Sequence, residues 1–247
     1  MMKVGYSAFV EAILGIYDEC REGDESTPPP VWLSAEEFQL EREVEFQRAL
    51  AGMDERIEAL KVERNQVAMQ ATEFSAIKNL LFEKGNKLEA AVRAALQELG
   101  FEASHFKSAD SEFDAVFTDE QARFIGEVEG KDTKPINVDK ISQLERNLNE
   151  DFEREDVKEH ARGVLFGNAY RVLPPIERPE AFTAKVRRAA QRTGILLVRT
   201  SELFRAVKYV RDSGDLEYAA AVRQAFKEGA GELILPAQPK ESELPVP

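Results

Sequence analysis

Glu127, Glu129 and Lys131 stand two apart in the run Glu127-Val128-Glu129-Gly130-Lys131, and Asp114 lies thirteen residues upstream. The run reads as a strand. Strands alternate faces with period two, so all three charged side chains point one way. Asp114 falls in the preceding strand, Glu112-Phe113-Asp114-Ala115-Val116-Phe117. Charges gathered on two adjacent apolar strands are costly unless compensated. A divalent cation is the usual compensation, because hard cations take carboxylate oxygens. The competing reading is a solvent-facing edge of an antiparallel sheet.

The surrounding segments supply a scaffold. Leu88, Val92, Leu96 and Leu99 fall at helical spacing, and Gly100 is a natural stop. A short strand follows near Phe101 to Lys107, then the Asp114 strand and the Glu127 strand. Val138 to Leu144 reads as a helix and Gly163 to Asn168 as an apolar strand. With a turn centred near Asp119 and Glu120, antiparallel pairing sets Asp114 opposite residues near 125 to 127. Further on, Phe182, Val186 and Ala189 mark a helix. Gly194 to Thr200 reads as a buried strand, and Thr200 or Ser201 caps a helix containing Leu203, Phe204 and Val207.

Helix, three-strand meander, helix, strand is an order that resembles the PD-(D/E)XK nuclease superfamily, over roughly residues 77 to 210. The resemblance implies a restriction-endonuclease-like three-layer α/β domain with a mixed central sheet. It also implies Mg²⁺- or Mn²⁺-dependent hydrolysis of phosphodiester bonds in nucleic acid, DNA above all. The family's Asp matches Asp114. Its Glu matches Glu127 in one frame, which leaves Glu129 at the family's Lys position. In the other frame Glu129 is the match and Lys131 the lysine. The family tolerates Glu at that position and its lysine can migrate to the next helix, which makes Lys140 the candidate, with Gln143 on the same helix face. Glu89 matches a Glu that the family carries on its first helix. The resemblance thus implies Asp114, Glu127 and Glu89 as metal ligands. Lys140 or Lys131 orients the water, and Glu129 binds metal or water. A solvated surface position is the plainer role for Lys140 and Gln143.

Charge argues against generic nucleic-acid binding, since the chain carries a formal −13 and phosphate affinity rests on Lys and Arg. The charge is uneven, however. From Arg178 to Asp212 there are nine basic residues against three acidic ones. Such a face suits a nucleic-acid groove, and ordinary solvated helix faces suit it equally. Arg187 and Arg188 lie in it. Asn168 and Arg171, beside Pro174-Pro175, are further candidate phosphate contacts, though turn formation is the simpler role. Glycine-rich and nucleophile-elbow motifs fail: Gly126 to Asp132 is one residue short of a phosphate loop and carries two glutamates.

The single Cys20 excludes an intrachain disulfide framework and fits a cytoplasmic setting. One Cys and two His make no usual zinc site. The start has no signal-peptide pattern, and no apolar run approaches a membrane span.

Before the α/β region, Ser34 and Glu37 form a capping box that opens a long helix. Phe46, Leu50, Met53, Ile57, Leu60, Arg64, Val67, Ala71 and Phe74 follow in steps of four and three. This is a heptad seam with one polar break at Arg64. It predicts a coiled coil across residues 34–76 and hence a homodimer. The alternative is a helix packed on its own domain. Residues 1–33 are expected to be a short helix (7–21) and a Pro-rich linker, residues 77–230 the nuclease-like domain, and residues 231–247 a disordered tail. The second functional reading is a non-catalytic coiled-coil assembly or nucleic-acid-binding protein with a degenerate nuclease-like domain.

Overall fold

The structure is a computed structural model that describes residues 13, 27–107 and 111–239. The helix expected over 7–21 lies, Ile13 apart, outside the described residues. The chain divides into two units, Met1–Val67 and Ala68–Pro247.

Glu41–Ser75 form α1, an unbroken helix of 35 residues. Ala, Leu, Glu, Gln and Arg dominate it and no Pro interrupts it, which is the composition that favours a long helix. None of its residues is buried. It begins later than the capping box implied. Ser34 instead ends a 3₁₀ turn, Val31–Ser34, and its hydroxyl donates to the Val31 carbonyl at 2.7 Å. A second turn, Glu36–Phe38, intervenes. Trp32 packs its ring edge on Phe38, with centroids 5.2 Å apart.

The second unit is a three-layer α/β domain. Its elements run Asn79–Phe82 (α2), Asn86–Glu98 (α3), Glu102–Lys107 (β1), Glu112–Thr118 (β2), Arg123–Gly130 (β3), Asp139–Phe152 (α4) and Arg162–Asn168 (β4). Ala184–Thr193 (α5), Leu196–Arg199 (β5), Thr200–Ser213 (α6) and Leu216–Glu228 (α7) complete it. The sheet order is β1-β2-β3-β4-β5. The first three strands are antiparallel, and β3, β4 and β5 run parallel. This is the mixed sheet that the element order implied.

Alternation along β3 sorts the layers. Phe124 and Val128 face a core shared with Leu88, Val92 and Leu96 of α3, Leu203 and Val207 of α6, and Val222 and Phe226 of α7. Ile125 faces the opposite core, with Ile141 and Leu144 of α4 and Val186 and Ala190 of α5. Buried on both faces, β4 is apolar through Val164-Leu165-Phe166. Helix α7 has no counterpart in the sequence expectations, although Tyr218, Val222 and Phe226 carry its helical signal.

Two details differ from expectation. Thr200 does not cap α6: it is buried, and its hydroxyl lies 3.5 Å from the Gly167 carbonyl. Arg199 is the residue at the cap. Gly231–Leu235, expected to belong to a disordered tail, is packed on β5. Leu197 N donates to the Gly231 carbonyl and Leu233 N to the Leu197 carbonyl, each at 2.8 Å. Leu233 and Leu235 are buried, which is what holds the segment down. Among the described residues no helix is long and apolar enough to cross a membrane.

Candidate active site

The four-residue turn after β2 fixes the register that matters. Asp119 accepts from the Gln121 and Ala122 amides at 3.0 and 2.9 Å, and Thr118 pairs with Arg123. Counting outward, Ala115 pairs with Gly126, so the next positions on the two strands are Asp114 and Glu127. There the ladder stops. Ser104 and Phe106 of β1 pair with Val116 and Phe113 of β2, so β2 holds one residue more than β1 over that interval. This is a β-bulge, a device that re-aims a side chain. The Asp114 carboxylate accepts from Val128 N at 2.8 Å, filling the place of a backbone partner. The Asp114 carbonyl, released from the ladder, accepts from Arg93 of α3.

Glu127 is only 2% exposed and points to the α4 layer. Its Oε1 accepts from Lys140 Nζ at 2.7 Å, and its Oε2 lies 3.4 Å from Asn147 Nδ2. Lys140 also donates to Gln143 Oε1 at 3.0 Å and pairs with Glu129 Oε2 at 3.2 Å. Lys131 pairs with Glu129 Oε1 at 2.5 Å. Both lysines thus reach the row of glutamates: Lys140 from the helix to both, Lys131 from the strand end to Glu129 alone.

Burial dominates the electrostatics. It pushes Glu127 up to about 7, and the Asp114 charge adds to the rise while Lys140 opposes it. Burial raises Asp114 as well, against the Val128 amide and the Lys140 and Arg93 charges. Glu89 rises through burial and then through Asp114, so Asp114 acts on both glutamates. Burial also works on Glu129, but the bonds from Lys131 and Lys140 outweigh it and hold that carboxyl low. Lys140 is pushed down by burial and held above its ordinary value by the two glutamates. It is therefore a charged donor here rather than a base. Among the described residues no three His, Cys, Asp or Glu side chains converge closely enough to hold an ion by themselves.

Two contributors escaped the sequence reading. Asn147 is buried on α4, seven residues after Lys140 and four after Gln143, so a polar stripe beside Ile141 and Leu144 was the available signal. Arg93 sits one turn after Glu89 on α3 and reads in sequence as an ordinary surface cation.

The proposed phosphate contacts have other partners. Asn168 is fully buried, donates to the Glu83 carbonyl at 2.9 Å and accepts from Arg178 at 2.9 Å. Arg171 donates to Asp132 at 2.7 Å and to the Phe82 carbonyl. These bonds strap residues 81–84 across the ends of β3 and β4. Gly130 permits the approach, since a Cβ there would meet Lys84 Cβ at 2.6 Å. Arg187 pairs with Glu180 and Glu232. Arg199, Arg205, Lys208 and Arg211 pair with acidic neighbours too, so most of the basic stretch is neutralised locally. Arg188 is exposed and shares one face of α5 with Lys185 and Arg192. Among the described residues these three have no ion-pair partner.

No family profile and no curated protein matches the chain. Among solved structures the chain is similar to the restriction endonuclease FokI, at 10% identity and a TM-score of 0.42, over 64% of this chain. The similar region spans 30% of that enzyme's length.

Proposed function

We propose that this chain hydrolyses phosphodiester bonds in nucleic acid, DNA above all, with Mg²⁺ or Mn²⁺, and that two copies associate through α1. The observation that carries the proposal is that buried Glu127 and Asp114 hold the neighbouring positions just beyond the last β2–β3 pair, at the β2 bulge, with Lys140 alongside. Burial pushes both carboxylates upward and the Asp114 charge adds to the rise at Glu127, so the pair lacks positive charge that a divalent cation would supply. Carboxylate oxygens are the donors a hard cation takes, and waters or phosphate oxygens would have to complete its coordination. Asp114 and Glu127 would hold it, with Glu89 reaching from the α3 layer. When bound, it would lower the pKa of a coordinated water and neutralise charge on the phosphate.

The protein's own share is positioning. Val128 N–H fixes the Asp114 carboxylate, Asn147 and Lys140 fix Glu127, and Gln143 steadies Lys140. Lys140 can offer a proton donor to the attacking water or to a phosphate oxygen. Arg188, with Lys185 and Arg192, offers charge for the nucleic-acid backbone.

One observation favours the second reading, binding without cleavage. Lys140 already has three side-chain partners: Glu127, Glu129 and Gln143. The test is a cleavage assay on mixed single- and double-stranded DNA and RNA with Mg²⁺ or Mn²⁺. Cleavage that a chelator abolishes and that Asp114→Ala lacks supports the nuclease. Nucleic-acid binding with no cleavage in the wild type would sink it in favour of the second reading.

A further inference from the structure

The apolar seam of α1 is exposed along its whole length, and its flanking charges define how a second copy must lie on it. Phe46, Leu50, Met53, Ile57, Leu60 and Val67 are all exposed. In heptad terms Leu50, Ile57, Arg64 and Ala71 occupy the first core position, and Phe46, Met53, Leu60, Val67 and Phe74 the second. The flanks next to the core then hold Asp54 and Lys61 on one side, Arg56 and Glu63 on the other. Lys61 pairs with Glu58 within the helix at 2.6 Å. Among the described residues Asp54, Arg56 and Glu63 have no ion-pair partner.

A parallel, in-register pair is disfavoured twice. It stacks Arg64 on Arg64 of the other copy in the core. It also brings Arg56 beside the other copy's Lys61, because a flank residue meets the opposite flank five positions on. Turning the second helix around removes both conflicts. The register that seats Ile57 on Leu60 of the second copy also seats Leu50 on Val67, Met53 on Arg64, and Phe46 on Ala71. Large residues then meet small ones at the ends. Each Arg64 lies along a Met53 with its head free to reach water. In the same register each Arg56 meets a Glu63 and each Asp54 meets a Lys61. The twofold axis makes these four attractive flank pairs and no repulsive one.

We infer that the partner of α1 is a second copy of this chain lying antiparallel, with the crossing point between Glu58 and Ala59. The inference rests on the self-association proposed above and adds its orientation. An antiparallel rod puts the two chain segments that follow Ser75 at opposite ends, on the order of 50 Å apart at 1.5 Å per residue.

The experiment uses the full chain with Cys20→Ser and a nitroxide on Arg48→Cys, an outward position of α1. Pulsed dipolar spectroscopy should give about 35 Å between labels, because Arg48 and its copy lie ~32 Å apart along an antiparallel rod. A distance of about 20 Å or less means a parallel pair and overturns the orientation while leaving self-association standing. No dipolar signal, with a monomer mass by light scattering, overturns self-association itself and the orientation with it, and leaves the nuclease proposal untouched. A charge swap gives an independent reading. Arg56→Glu should weaken the antiparallel pair about tenfold, because two attractive contacts become repulsive. Arg56→Glu with Glu63→Arg should restore it. Tighter association of Arg56→Glu alone means the parallel arrangement.

Discussion

Glu127→Gln should stabilise the fold at high pH and leave it nearly unchanged at low pH. The native carboxyl is raised from 4.5 to about 7, chiefly by burial. One pKa unit corresponds to about 1.4 kcal/mol, so ionised Glu127 costs the native state about 3 kcal/mol. The sign follows from which state holds the proton. Below pH 4.5 both folded and unfolded chains carry it, and the group costs nothing. Between 4.5 and about 7 the unfolded chain releases it first, so stability falls as pH rises. Above about 7 the full cost is present. Glutamine cannot ionise, keeps an oxygen for Lys140 and nearly preserves the shape. Urea denaturation of wild type and variant, with a chelator present, should therefore show a difference that starts near zero at pH 4.5 and grows to about 3 kcal/mol by pH 8. That is a large part of the 5–15 kcal/mol typical of a domain. Carboxylates that do not interact with Glu127 cancel in the difference. A gap that stays constant across that range would refute the reasoning, because it would mean that Glu127 titrates at its ordinary value in the folded chain.

Lys140→Ala should lower cleavage by a factor of about 10²–10⁴ with divalent-metal binding retained, while Lys131→Ala costs little; single-turnover rates beside metal calorimetry check both, and reversed behaviour would select the frame built on Glu129 and Lys131. Asp151→Asn should destabilise the domain by about 3–5 kcal/mol in a denaturant titration. Fully buried Asp151 takes both a 3.1 Å and a 2.7 Å bond from Arg123, and the loss leaves that guanidinium without its counter-charge. Gly167→Ala should cost about 1–3 kcal/mol, read as a lowered melting temperature, since its Cβ would stand 2.8 Å from Phe182 and 2.9 Å from Ile136.

The order of elements and the period-two charges were legible because both follow from alternation and from turn residues. The register between Asp114 and Glu127 was legible for the same reason: Asp119 anchors a short turn, and counting outward is enough. The bulge was not. It depends on Arg93 donating to the Asp114 carbonyl and the Val128 amide donating to the Asp114 carboxylate, and those partners are distant in sequence. Asn168 misled because a polar residue ending a strand looks like a free ligand. Only the packed chain reveals that the Glu83 carbonyl and Arg178 claim its amide. The basic stretch misled similarly, as Glu232, from outside the run, joins Glu180 in neutralising Arg187 and Arg199. The late start of α1 was hidden because a capping box needs the helical backbone at Glu37, which a 3₁₀ turn takes instead.

The interrupted ladder gives the sheet a stiff half and a yielding half. On one side β3 is stitched to β4 through seven paired positions, Phe124 with Arg162 to Gly130 with Asn168. On the other, β2 holds β3 through four backbone pairs, and beyond Ala115 by the Asp114 carboxylate on Val128 N–H. Local opening draws on whatever bonds cross the boundary, so the hairpin of β1 and β2 should part from β3 at its Asp114 end far below the global unfolding cost. In hydrogen-exchange terms the Val128 amide should exchange much faster than the amides that join β3 to β4, and Asp114→Ala should speed it further. Glu127 would thus be mounted on the half that keeps its shape, while Asp114 rides on the half that can swing.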